Sequence, residues 1–291
     1  MNAPVHWPLE ALWEALAPRL PGFTAELLAT VDSTNSECMR RLRSGQAEPL
    51  LLVAEQQSAG RGRMGRSWHS APGGAALTFS LALPLAPHSW SGLSLAAGLA
   101  LAQALQPQVP APGSSAPRVV LKWPNDLWLQ VGDTEAKLGG ILVETASLLA
   151  PVYAEARTRW VVVGVGLNVS ADSLDQQAMA VPPAGLQQLD ARWNAADALA
   201  QLVPPLVHAL QAFEQRGFAP LVPAFALRDA LLGRSVRLSD GREGMALGVG
   251  ADGALRVRAR TGEVWEVSSA EISVRPRTPA GPGTATRPSA L

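Results

Sequence analysis

Five apolar stretches of strand length lie within residues 49–170, and they constrain the fold more than any other feature of the chain. They read PLLLVAEQ (49–56), GGAALTFSLAL (73–83), RVVLKWPNDLWLQVG (118–132), KLGGILVETA (137–146) and TRWVVVGVGLNVS (158–170). Runs of Val, Leu and Ile without strict polar alternation are buried strands. In the third stretch, Pro124-Asn125-Asp126 reads as a turn between two strands. Helical patterns are fewer: residues 8–18, the stretch TVDSTNSECMRRLRSG (30–45), Leu93–Leu105 and residues 195–215. In the second of these, Asp32 or Ser33 suits the N-cap, Glu37 the first turn and Gly45 the end. Gln106–Pro117, QPQVPAPGSSAP, reads as a flexible surface insertion.

Beyond Leu231 the texture changes. Short β runs are punctuated by Asp240-Gly241, Asp252-Gly253 and Thr261-Gly262, the spacing of a small antiparallel barrel or meander. The expected fold is therefore α+β: a mixed, mainly antiparallel sheet packed with helices, followed by a small SH3-like β-barrel. The expected division is a helical extension over 1–30, a main domain over 31–230, the β domain over 231–276 and a disordered Pro/Gly/Thr-rich tail over 277–291. With 291 residues, 47% of them hydrophobic, the chain has enough sequence for one large core and a small second one.

Several function classes are disfavoured. The formal net charge is +0, which provides no electrostatic footprint for DNA or an anionic membrane. Only about 30 residues precede Asp32, fewer than a typical DNA-binding domain of about 50 or more. The longest apolar run, Leu93–Leu105, is too short to span a bilayer. Cys38 is the single cysteine, so a reducing cytoplasm is the expected setting, and the residue reads as a small core side chain. The first twenty residues do not look like a signal peptide.

Against this neutral background, GRGRMGRSW (Gly60–Trp68) packs three glycines and three arginines into nine residues. It is one residue from a P-loop, with Arg66 in place of lysine, but WHSAPGG follows where a phosphate-binding helix must begin. Arginine-glycine segments that bind RNA are longer and repetitive, and this one is bracketed by strands. A closing anion clamp fits better: glycines let backbone approach a ligand, and arginines supply forked donors for phosphate or carboxylate. By itself the stretch separates a clamp only slightly from a solvated basic turn.

Four further motifs accompany the loop in a fixed order: DSTN (Asp32–Asn35) before it, then KWPNDL (Lys122–Leu127), KLGGILVE (Lys137–Glu144) and VVVGVGLNV (Val161–Val169). As a set they closely resemble the biotin–protein ligases, over residues 30 to 275. The resemblance implies ATP with Mg²⁺, biotin as substrate, a biotinyl-5′-adenylate intermediate, and transfer to a lysine of a biotin carboxyl carrier protein. It implies that Lys137, Arg61 and Arg63 are catalytic. Ser33, Thr34, Asn35, Gln57, Gly62, Trp68, Gly139 and Gly140 join those three around biotin. Arg66, Lys122, Asn125 and Asn168 join Arg61, Arg63 and Lys137 around ATP, with Asn125 and Asp126 as metal ligands. Met64 departs from the basic residue of some relatives. No aromatic platform for adenine stands out in residues 171–190. Lipoate or octanoate ligases share the fold, and a biotin sensor without turnover is the binding-class alternative. Exposed sheet edges suit a homodimer or carrier docking.

Overall fold

The computed structural model describes residues 5–69, 73–111, 113–146, 158–172, 181–268 and, for the backbone, 274–276. The expected tail lies outside them. One seven-stranded sheet dominates. Its strands are β1 (Thr24–Val31), β2 (Leu50–Gln57), β3 (Ala76–Leu85), β4 (Arg118–Lys122), β5 (Asp126–Val131), β6 (Thr134–Ala146) and β7 (Arg159–Asn168), in the order β1-β2-β3-β7-β6-β5-β4. Only β1–β2 is parallel; every other neighbouring pair is antiparallel. The mixed, mainly antiparallel expectation is met.

Both faces of the sheet are covered. Helices α1 (Leu9–Leu16), α3 (Leu93–Leu105) and α4 (Ala195–Arg216) pack on one face, burying Leu51, Val53, Leu81, Leu83, Val161 and Val163. Helix α2 (Thr34–Arg43) covers the other through Cys38, Met39 and Leu42, against Leu50, Leu52, Ala82, Trp160 and Val162. The alternation of these two sets along each strand is the pleat, and double burial explains why the strands read as unbroken apolar runs. α3 is apolar all round because it is wedged between the sheet and α4.

One boundary differs from expectation. β1 is an edge strand of the large sheet, yet it begins at Thr24, inside the expected N-terminal extension. Its sequence, TAELLATV, is half exposed and carries no buried-strand signature. Leu12, Leu16, Leu20 and Phe23 also belong to the main core. The expected insertion at 106–117 is tied across its ends by Gln106, which donates from Nε2 to Pro117 O at 2.8 Å and accepts from Val119 N–H at 2.9 Å.

After the short helix α5 (Val222–Ala226), strands β8 (Ser235–Leu238), β9 (Glu243–Val249), β10 (Leu255–Arg258), β11 (Val264–Val267) and β12 (Val274–Pro276) form an antiparallel sheet, ordered β11-β10-β9-β8-β12. This is the expected small β domain. Its buried residues, among them Val236, Leu255 and Val257, are continuous with the main core. It touches the KWPND turn directly, where buried Trp123 donates from Nε1 to Gly253 O at 3.0 Å.

The connection between the sheets runs along β4, with Leu121 N–H on Arg228 O at 2.7 Å and Ala230 N–H on Leu121 O at 2.9 Å. Within it, Asp229 Oδ1 accepts from Leu231 N–H at 2.8 Å, while buried Oδ2 has no partner. Burial raises this carboxyl from 3.8 to about 6. The folded state therefore holds the proton more tightly than the unfolded chain, and stability falls as pH rises through this interval. Asp229→Asn keeps the Leu231 hydrogen bond and removes the charge. It should leave stability unchanged near pH 4 and raise it at pH 7, by at most about 3 kcal/mol at 1.36 kcal/mol per unit. Urea unfolding at the two pH values checks this; an equal change at both refutes it.

Candidate active site

The pocket opens on the α2 face of the sheet, where apolar strand positions give way to small and polar ones. On β7 the same-face series runs Val162, Gly164, Gly166, Asn168; on β6 it runs Gly140, Leu142, Glu144. The glycines provide space that other groups fill. A Cβ on Gly164 would lie 2.1 Å from Asn35 Oδ1, and one on Gly166 2.4 Å from the Trp68 ring.

One end of the pocket is rich in hydrogen bonds and lined by short hydroxyl and amide side chains. Ser33 is the N-cap of α2, its Oγ accepting from Ser36 N–H at 3.4 Å, and it also lines the pocket. Gln57 Oε1 accepts from Thr34 N–H at 2.8 Å and from Thr34 Oγ1 at 3.2 Å. Asn35 is held on three sides. Its Oδ1 accepts from Ser80 Oγ at 2.6 Å, and its Nδ2 donates to Leu142 O at 3.1 Å and Glu144 Oε2 at 2.9 Å. Because Oδ1 meets a hydroxyl and Nδ2 meets two acceptors, the amide has one orientation. Trp68 closes this region, its buried Nε1 without a partner.

The other end is cationic. Lys137 Nζ lies 2.9 Å from Asp126 Oδ1. A β-bulge places it there: Leu127 pairs with Gly139 and Trp128 with Lys137, leaving Leu138 as an extra residue on β6. In a regular strand residues 137 and 140 would face opposite ways. Here the position of a Gly140 Cβ is 3.7 Å from Lys137 Nζ and 3.3 Å from Asp126 Oδ1. The Lys137 backbone is pinned too, donating to Pro182 O and accepting from Ala184 N–H, both at 2.8 Å. Lys122 Nζ sits 4.4 Å above the Trp128 ring. Arg63 is half-buried; desolvation lowers its pKa, and the nearby Asp126 charge opposes that shift.

The Gly60–Trp68 loop carries its own hydrogen bonds. Trp68 N–H donates to Gly60 O at 2.8 Å, Gly62 N–H to Arg66 O at 2.6 Å, and Arg66 N–H to Arg63 O at 3.2 Å. Its neck demands glycine, since a Cβ on Gly60 would lie 2.4 Å from Trp68 O. At its tip Met64 adopts φ 55°, the one positive φ outside glycine among the described residues.

Of the sequence-predicted residues, Ser33, Thr34, Asn35, Gln57, Arg61, Gly62, Arg63, Arg66, Trp68, Lys122, Asn125, Asp126, Lys137 and Gly140 all line this one pocket. Two do not. Gly139 faces β7, where a Cβ would strike Gly166 O at 2.4 Å, so it is a packing position. Asn168 is buried and donates from Nδ2 to Lys137 O at 3.2 Å and Ala184 O at 3.0 Å; it braces the Lys137 backbone instead of lining the pocket. Arg61 lines the pocket but lies away from Lys137, paired with Glu144 at 3.1 Å. Sequence reasoning missed Ser80 and Glu144; the signal was a polar residue on one face of an otherwise apolar strand.

The biotin/lipoate A/B protein ligase family model matches residues 27–168. The bifunctional ligase/repressor BirA of Escherichia coli is 33% identical over 265 residues, covering 88% of this chain and 76% of BirA. The biotin–[acetyl-CoA-carboxylase] ligase of Paracoccus denitrificans is 33% identical, covering 81% of this chain and 95% of its own length. Among solved structures, the Aquifex aeolicus biotin protein ligase in complex with biotin and ATP superimposes with a TM-score of 0.67 at 26% identity, covering 87% of this chain and 99% of that one. With its motifs gathered in one pocket and this likeness extending over most of its length, the chain belongs to the biotin–protein ligases of the biotin/lipoate A/B protein ligase family.

Proposed function

We propose that the protein is an ATP-dependent biotin–protein ligase whose acceptor is the biotin carboxyl carrier protein of a carboxylase. A carboxylate oxygen of biotin attacks the α-phosphorus of ATP, the bond to the bridging oxygen breaks, and pyrophosphate leaves. The amine of a carrier lysine then attacks the acyl carbon of biotinyl-5′-adenylate. AMP departs, the nitrogen loses a proton, and an amide remains. The observation that carries this reading is a single pocket joining an end of hydroxyl and amide groups, where Arg61 is paired with Glu144, to a cationic end.

Each end suits one part of the reaction. Short hydroxyl and amide groups at Ser33, Thr34, Asn35 and Gln57 match the carbonyl and N–H groups of a ureido ring, and Trp68 provides an apolar wall. Two anions must approach for the first step, and fixed cations offset their repulsion. Lys137, with its backbone pinned and its Nζ beside Asp126, bridges the carboxyl and the α-phosphate; Arg63 stands on the same side. Arg66, Lys122 and Asn125 extend the polar lining toward the phosphates. No histidine base is required, because the attacking carboxylate is already ionised.

Mg²⁺ fits this donor set. Among the described residues there is no cluster of three or more His, Cys, Asp or Glu side chains. A magnesium site built on one or two carboxylates plus substrate phosphates needs none. Among the described residues Asp126 is the one carboxylate lining the pocket, with Asn125 beside it, and these two residues would hold the ion. Bound there, it would neutralise phosphate charge.

The test is direct. The protein incubated with ATP, Mg²⁺, biotin and a carrier domain should add one biotin mass to the carrier. Absence of that gain, with lipoate accepted instead, overturns the reading.

A further inference from the structure

Glu144 has no part in the chemistry described above, yet it touches both halves of the biotin-binding end. Its Oε2 accepts from Asn35 Nδ2 at 2.9 Å and from Arg61 Nη1 at 3.3 Å, and its Oε1 lies 3.1 Å from Arg61 Nη2. Arg61 Nη1 also reaches Ser36 Oγ at 3.3 Å. One carboxylate thus fastens a buried pocket amide to the first arginine of the Gly60–Trp68 loop. Glu144 stands four residues beyond Gly140 on β6, about 13 Å along the strand at about 3.3 Å per residue. The first two of the three loop arginines are therefore divided between the two ends, Arg61 at Glu144 and Arg63 toward Asp126.

We propose that Glu144 is a positioning residue that fixes the Asn35 amide and docks Arg61, closing the loop over the biotin end of the pocket before nucleotide binds. This rests on the ligase reading for its kinetic consequence, but the docking itself does not. The pair is partly exposed, with 49% of the Arg61 and 23% of the Glu144 side chain accessible, so it holds the loop reversibly and not as a buried lock. Asn35 adds the second constraint. A charge-assisted donor to Glu144 and a hydroxyl on Oδ1 leave the amide one orientation toward a ligand.

Glu144→Gln separates the two contacts, because a glutamine retains an acceptor for Asn35 and loses the charge that holds Arg61. In the ligand-free enzyme, trypsin should then cut at Arg63 and Arg66 about 1.5 to 5 times faster, the factor expected for a half-exposed ion pair. Arg61→Gln should accelerate cleavage at these sites equally, and the double variant no further. Because Arg61 lies at the surface, the Arg61→Gln arm remains informative if Glu144→Gln unfolds. In adenylate formation, Glu144→Gln should raise the KM for biotin more than it lowers kcat, and Glu144→Ala, which also frees Asn35, should raise KM further. Cleavage rates unchanged from the parent, additive effects in the double variant, or a loss confined to kcat would each overturn the proposal. If the parent enzyme makes no adenylate, the ligase reading fails while the cleavage comparison still decides the docking.

Discussion

Replacing Lys137 by alanine should lower the rate of biotinyl-5′-adenylate formation at least about a hundredfold, the scale on which one electrostatic contact to a transition state acts. The reason lies in the geometry around Nζ. It stands 2.9 Å from Asp126 Oδ1 at the cationic end of the pocket, where carboxylate and phosphate oxygens have to converge. Its removal leaves Asp126 facing the same space with one fewer compensating cation, so the site attracts anions less strongly at the point where they must converge. Stability should hardly change: the ion pair is partly exposed, and such pairs contribute about 1 kcal/mol or less. A single-turnover assay following the adenylate by mass, alongside a thermal melt, separates the two effects. Undiminished adenylate formation would remove Lys137 from its assigned role.

The second large effect is expected at a residue with no side chain. Gly164→Ala places a methyl 2.1 Å from Asn35 Oδ1 and 2.8 Å from Asn35 Cγ. Asn35 has nowhere to retreat, because Ser80, Leu142 and Glu144 hold its amide and only 3% of the residue is exposed. The overlap must displace the asparagine or bend β7, at a cost of about 1–3 kcal/mol typical of overpacking. The KM for biotin should rise about tenfold or more as an oriented hydrogen-bonding partner is lost. Gly98→Ala is the matched control: its added methyl meets Ile141 and Leu121 at 3.4 Å within the core packed against α3, with no contact to Asn35, and the change suits a helix. A biotin KM for Gly164→Ala equal to that of the control would contradict the assignment of Asn35 to the biotin end.

The sequence by itself determined more of this protein than its neutral composition suggests. Apolar runs of eight to ten residues are strands wherever they occur in a doubly covered sheet, so β2, β3 and β7 were legible from hydrophobicity alone. Leu93–Leu105 was legible as a buried helix for the same reason. β1 was not: as a half-exposed edge strand paired on one side, it lacks the pattern that burial imposes. The motif residues were legible as a set, because the loop, the KWPND turn and the KLGGIL strand carry residue types that a core does not select.

The tertiary structure decided how those residues meet. A linear reading places Lys137 and Gly140 on opposite faces of a strand; the extra residue at Leu138 puts them on one, and only the pairing with β5 reveals it. It moved Asn168 from the phosphates to the backbone of Lys137, because β6, β7 and residues 182–184 come together around its amide. It recruited Ser80 and Glu144, which are 64 residues apart in sequence, to the same asparagine. Local patterns record whether a residue is buried and in which kind of element. Which side chains share a polar pocket depends on strand order, register and bulges, and those are set by the packing of the whole sheet.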